Sequence, residues 1–201
     1  MLKRLIRKLV DLPKTTYQPK EFWEEWSKSF MDDPWQKKIH PQHMWLLKKI
    51  NASKPEGILE VGCGFGRNIK FLIQNGLDPS SIVGIDISPN MVKLARKYVG
   101  NKEVKFFISD LNSFKPKEKF DFVFTHGVLM HIPKGHIESA INRLIDLSKK
   151  SLVLIEQNYQ ADNNYTFIHD YKKLLKSKKL DIIEYRGNKK LGLDLIYAKV
   201  R

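Results

Sequence analysis

From Gly57 onward, short runs of apolar, mostly β-branched residues alternate with longer amphipathic stretches. The short runs predict strands at Ile58–Val61, Ile82–Asp86, Val104–Ser109, Phe122–Thr125, Ser151–Glu156, Asp181–Tyr185 and Asp194–Lys199. Between them, apolar residues recur at helical spacing over Arg67–Asn75, Pro89–Val99, Lys134–Lys149 and Ile168–Ser177. The second of these helices has clear ends: Ser88 is placed to cap it, Pro89 takes the first helical position and Gly100 stops it. Strands separated by such helices pair in parallel, and the resulting sheet is covered on both faces. Only Arg186–Leu193, containing Gly187 and Asn188, joins the last two strands. That link is too short for a crossover, so the pair is expected to be antiparallel.

Residues 1–56 have a different texture and predict a helical extension on a domain formed by residues 57–201. In Met1–Leu12, Leu2, Leu5, Ile6 and Leu9 share one helical face, Lys3, Arg4, Arg7 and Lys8 the other, and Pro13 ends the segment. Such a helix either lies on an anionic membrane or packs its leucine face on its own domain. Pro19–Phe30 and Pro41–Asn51 are further helices. Phe22, Trp23, Trp26 and Phe30 recur at three-to-four spacing, which suits packing or a roof over an acceptor site.

The chain has 201 residues, the size of one compact domain with a small appendage. With 42% hydrophobic and 11% aromatic residues, disorder is not the default reading. The net charge of +14 favours an anionic partner, yet it is spread as +5, +4 and +5 over residues 1–56, 57–160 and 161–201. No basic tail marks a nucleic-acid arm, so a nucleic-acid partner is not favoured, and generic solvating lysine explains the charge equally well. The single cysteine, Cys63, excludes an intramolecular disulfide and a multi-cysteine zinc site. No apolar run approaches the ~20 residues that span a bilayer, and the N-terminus lacks the continuous apolar core of a secretory signal. A cytoplasmic location is expected, with contact at the inner membrane surface through residues 1–12 as an additional expectation.

The chemistry concentrates in Ile58-Leu59-Glu60-Val61-Gly62-Cys63-Gly64-Phe65-Gly66-Arg67-Asn68. A buried strand runs into three alternating glycines and then a helix, and Asp86 ends the next strand 24 residues after Gly62. That order of strand, glycine loop, helix, strand and terminal acid binds nucleotides, the acid meeting ribose hydroxyls. The dinucleotide fingerprint spaces its glycines G-x-G-x-x-G, whereas these alternate. Glu60 also stands two residues before the first glycine, where a carboxylate suits a cationic ligand and repels a pyrophosphate.

At these residues the chain resembles the class I S-adenosylmethionine-dependent methyltransferases, whose first motif reads E/D-x-G-x-G-x-G. The resemblance runs from Gly57 to about Ile155. It implies a Rossmann-like α/β sandwich with a seven-stranded, mostly parallel sheet in the order 3-2-1-4-5-7-6, the seventh strand antiparallel. It implies that Glu60, Gly62, Gly64 and Gly66 wrap the methionine part of S-adenosylmethionine, Asp86 binds its ribose, Asp110 receives the adenine amino group and Leu111 flanks the ring. Cys63, Asn68, Ile87 and Thr125 adjoin these positions as further cofactor-side candidates, and S-adenosylhomocysteine is the implied product. The stretch Phe124–Tyr159 is also similar to small methylases of bacterial nonulosonic-acid sugar biosynthesis, which implies a saccharide-like acceptor.

Methyl transfer needs an aligned acceptor and, for oxygen, a group that takes its proton. His126 and His131 follow the fourth strand and Glu156 ends the fifth, so these three are the catalytic candidates; Tyr159, His169 and Asp170 lie beyond. Thr125-His126-Gly127-Val128 lacks the D/N-P-P-F/Y/W block of the amino-methylating DNA enzymes. With Cys63 in the glycine loop, no cysteine remains for pyrimidine C5 chemistry, and no converging acids call for a metal. The expected activity is methyl transfer to a small polar or saccharide-like, anionic acceptor. An RNA or protein acceptor, a catalytically silent scaffold and a nicotinamide dehydrogenase are the alternatives.

Overall fold

The computed structural model describes residues 17–178, 180–188 and 192–201. The amphipathic segment Met1–Leu12, and with it the expectation of a membrane-facing helix, lies outside these residues. Seven strands form one sheet: β1 Ile58–Val61, β2 Ile82–Asp86, β3 Lys105–Ile108, β4 Phe120–His126, β5 Ser148–Gln157, β6 Leu180–Asn188 and β7 Leu193–Val200. Their order is β3-β2-β1-β4-β5-β7-β6. The first five pair in parallel, and β7 runs antiparallel to both β5 and β6. The helices are α1 Pro19–Ser27, α2 Pro34–Lys37, α3 Pro41–Ser53, α4 Arg67–Gln74, α5 Pro89–Val99, α6 Ile137–Leu147 and α7 Tyr171–Lys176. None of the described helices is long and apolar enough to cross a membrane.

Alternation along the strands feeds two cores. Ile58, Phe122, Phe124, Val153 and Ile155 pack under α3, α4 and α5, where Leu46, Ile69, Leu72 and Val92 are fully buried. Leu59, Val123, Leu152 and Leu154 point the other way, against Ile141 and Leu144 of α6 and Leu175 of α7. Both faces are covered, which is why these strands read as unbroken apolar runs.

The element ends differ from the sequence expectation for local reasons. The predicted helix Lys134–Lys149 shortens to Ile137–Leu147 because Ser148 already pairs with Phe120 and begins β5. The helix predicted from Ile168 starts at Tyr171, where the Asp170 side chain accepts the Lys173 N–H and fixes the first turn.

Helix α1 is pinned across the carboxyl ends of the strands. Glu24 accepts from Ser88 Oγ at 2.5 Å and from the Asn90 N–H at 3.1 Å, at the positive end of α5. These bonds hold the Glu24 carboxyl below its ordinary pKa. Asn90 adds a bond from its amide nitrogen to Ser27 Oγ at 2.8 Å.

Candidate active site

β1 delivers the glycine loop to the floor of a cavity of about 500 Å³. A side chain at Gly62 would overlap Val128 of the loop after β4, so the two loops approach as closely as they do only because Gly62 lacks one. At Gly64, φ is +52°, and a Cβ built there meets nothing within 4 Å. The space beside its backbone is cavity. Gly66, expected at the cofactor, does not line the cavity; a Cβ there would press on Ala95 and Val99 of α5.

Asp86 holds the floor together. Its Oδ2 accepts the Gly64 N–H at 2.8 Å and its Oδ1 the Ser88 N–H at 2.9 Å, leaving acceptor capacity on each oxygen. Burial raises its pKa. Asp110 accepts the N–H groups of Asn112 and Ser113 through Oδ1 at 2.8 and 3.0 Å. Against the upward pull of partial burial, these bonds hold it below the ordinary carboxylate range. Ile87 and Leu111 line the same wall. Cys63 is buried in the loop, and burial pushes its thiol far up, which leaves it unreactive.

Two buried polar atoms beneath the floor have no partner. Glu60 Oε1 accepts from the Asn68 amide nitrogen at 2.5 Å, but Glu60 Oε2 is buried with no donor. Burial pushes this carboxyl up to about 8. Arg67 gives one guanidinium nitrogen to the Gln36 carbonyl at 3.0 Å, while its Nε is buried with no acceptor. Both side chains line the cavity.

His126 and His131 also line the cavity. His126 Nδ1 is 3.2 Å from Asn68 Oδ1, and its ring meets that of His43 edge-on with centroids 5.1 Å apart. Burial, then the Arg67 charge, hold His126 well below its ordinary pKa. His131 Nδ1 is 2.8 Å from the Tyr165 carbonyl oxygen, its ring packs edge-on against Trp23 at 4.7 Å, and burial lowers its pKa to about 4.

Glu156 and Thr125 correct the sequence expectation. Neither lines the cavity. Glu156 is fully buried and accepts from Thr125 Oγ1 at 2.7 Å and from the N–H groups of Val128 and Met130 at 3.0 and 3.2 Å. The loop after β4 folds back onto this carboxylate, which is thereby filled with donors. Asp170 is spent on the α7 cap and His169 on the Ile132 carbonyl at 2.9 Å, and neither reaches the cavity. Among the described residues no three His, Cys, Asp or Glu side chains are placed to hold a metal ion.

The roof comes from the N-terminal segment: Tyr17, Trp23 and Phe30 line the cavity, with the Trp23 indole donating to the Tyr17 hydroxyl at 3.1 Å. Arg67, Gln36 and Tyr17 were not singled out from the sequence. Arg67 alone carried a usable signal, as the first helical residue after the glycines.

Residues 58–151 match a family model described as a methyltransferase domain. The chain is 30% identical over 139 residues to malonyl-(acyl-carrier protein) O-methyltransferase 2 of Ilyobacter polytropus, an alignment covering 60% of this chain and 53% of that protein. It is 30% identical over 112 residues to trans-aconitate 2-methyltransferase of an Enterobacter species, covering 56% of this chain and 42% of that one. The chain thus spans about half the length of these curated relatives. The fold superposes on magnesium protoporphyrin IX methyltransferase from Synechocystis with bound S-adenosylmethionine at a TM-score of 0.71 and 18% identity, covering 94% of this chain and 100% of that one. Over residues 58–151, carried on a sheet of order 3-2-1-4-5-7-6, the chain is thus similar to a methyltransferase domain.

Proposed function

We propose that the protein transfers the methyl group of S-adenosylmethionine to a small, polar, saccharide-like and anionic acceptor, leaving S-adenosylhomocysteine. The observation that carries this reading is the open cradle over the glycine loop, where the bare backbone of Gly64 lines the cavity beside Asp86, whose oxygens keep acceptor capacity. Glu60 and Arg67, one acidic and one basic, line the same cavity and suit the two charges of an α-amino-acid end. S-adenosylmethionine has such an end, whereas a pyrophosphate would bring like charge to Glu60.

The remaining floor suits the rest of that cofactor. Asp86 keeps acceptor capacity for ribose hydroxyls, Asp110 and Leu111 suit the adenine, and the bare backbone of Gly64 leaves room for the chain between the ribose and the amino-acid end. When bound, the cofactor supplies an activated methyl carbon. The protein's part is to hold the acceptor beneath Trp23 and Phe30, exclude water and receive a proton. Trp23 offers an aromatic face to the C–H side of a sugar ring, and the net charge of +14 draws anions to the site.

Incubation with methyl-labelled S-adenosylmethionine and a fractionated cell extract tests the reading. Label in the small-molecule fraction is expected. Label in RNA or protein would move the acceptor to those classes, and no label anywhere would leave only a scaffold. Contact of residues 1–12 with an anionic membrane is a separate proposal, lost if deleting them does not change sedimentation with anionic liposomes.

A further inference from the structure

Three imidazoles line the cavity, and on two of them, His126 and His131, a fixed partner decides which nitrogen carries the proton. His131 Nδ1 lies 2.8 Å from the Tyr165 carbonyl oxygen, which can only accept, so Nδ1 is the N–H. Burial keeps this ring neutral at neutral pH, so Nε2 retains a bare lone pair.

His126 is fixed one residue further away. An ionised Glu60 can only accept, so the Asn68 amide nitrogen faces it at 2.5 Å and Asn68 Oδ1 turns towards His126 Nδ1 at 3.2 Å. This step rests on the cofactor reading above, in which an ammonium beside Glu60 offsets the burial that otherwise raises its pKa to about 8. His126 Nδ1 is then the donor and Nε2 the acceptor. Neither Nε2 has a partner among the described residues, and neither is a sealed, unpartnered atom.

We propose that the methylated atom is a hydroxyl oxygen that donates its hydrogen to the Nε2 lone pair of His126 or His131, and that it is not a carboxylate. Asn68 is then a positioning residue that sets the His126 tautomer. A carboxylate would bring lone pairs to lone pairs and lose its hydration without compensation, at ~1–3 kcal/mol for each bond left unmade. The negative charge of the acceptor sits elsewhere in the molecule.

The transfer balances without a further reactant. The acceptor oxygen's electron pair forms the new bond to the methyl carbon, and the pair of the breaking carbon–sulfur bond returns to sulfur, leaving a neutral thioether. The oxygen becomes cationic, and its proton passes to Nε2 and then to water. A proton on such an oxygen is far more acidic than an imidazolium, so a weakly basic ring suffices.

Long-range proton–nitrogen correlation spectra of the protein with labelled histidine and bound S-adenosylhomocysteine read the tautomers directly. Both His126 and His131 are expected as Nδ1–H forms, and either ring found as Nε2–H or as a cation overturns the proposal. In Asn68→Ala, the His126 pattern should shift towards a mixture while that of His131 stays put; an unchanged His126 removes Asn68 from its positioning role. The labelled product from extract should survive mild alkali, whereas release of volatile labelled methanol would reveal a methyl ester and overturn the proposal. A protein giving no labelled product contradicts the proposed activity, while the tautomers, read on the protein itself, still decide this inference.

Discussion

Replacing Gly64 by alanine separates ligand binding from folding. Its φ of +52° lies in the left-handed region, where an L side chain costs about 1 kcal/mol. In a domain of this size that lowers Tm by roughly 2–4 °C. The added methyl group meets no protein atom within 4 Å, so the fold pays nothing further. It projects into the cavity instead, where an overpacked methyl costs about 1–3 kcal/mol, or roughly a fivefold to 150-fold rise in Kd. Gly62→Ala is the control. Its backbone penalty is similar at φ +70°, but the new Cβ overlaps Val128, so stability should fall by about 2–4 kcal/mol. Adding Val128→Ala should restore the packing part of that loss and not the backbone part. Thermal melts and calorimetric titration with S-adenosylhomocysteine measure both quantities. A Gly64→Ala protein that binds as tightly as the wild type would show that the open face of Gly64 is not the ligand's cradle.

Three other substitutions probe the site and its supports. Asp86→Ala removes the acceptor for the Gly64 and Ser88 N–H groups as well as the proposed ribose contact, so affinity for S-adenosylhomocysteine should drop at least about tenfold; undiminished affinity would remove Asp86 from the ligand. Burial raises the Glu156 carboxyl from 4.5 to about 7, so its contribution to stability is complete below the unfolded value and is lost as pH rises through about 7, on the order of 3 kcal/mol. Glu156→Gln should flatten that decline in melts taken across the range, and an identical slope in the variant would contradict the assignment. Glu24→Ala takes two bonds from the start of α5 and should cost about 1 kcal/mol. It should also speed hydrogen exchange in α1, and unchanged exchange there would mean that something else pins the roof.

The antiparallel last pair was legible because its decisive feature is local, whereas the strand order came only with the family resemblance. Arg186–Leu193 is too short to cross over, and the β-branched runs could be buried on both faces only in a sheet with helices on each side. The glycine loop and Asp86 were legible for the same reason, since neighbours in sequence impose their geometry. The roles of Glu156 and Arg67 were not. An acid at a strand end reads as a ligand-facing group until the next loop folds back and fills it with N–H donors, and nothing in the spacing of residues 127–131 announces that. Arg67 becomes informative only once the Gln36 carbonyl, 31 residues earlier, occupies one guanidinium nitrogen and leaves Nε without a partner. The aromatic spacing of α1 predicted a helix but not where it would dock. That depends on Glu24 reaching Ser88 and Asn90, a pairing of residues more than 60 positions apart.

The most direct test is a calorimetric titration of the whole protein with S-adenosylhomocysteine, run beside one with NAD. Saturable one-to-one heat with the first and none with the second is the predicted result. Silence from the thioether nucleoside, or tighter binding of the dinucleotide, would contradict the claim that the glycine loop and Asp86 cradle a nucleoside with an amino-acid end.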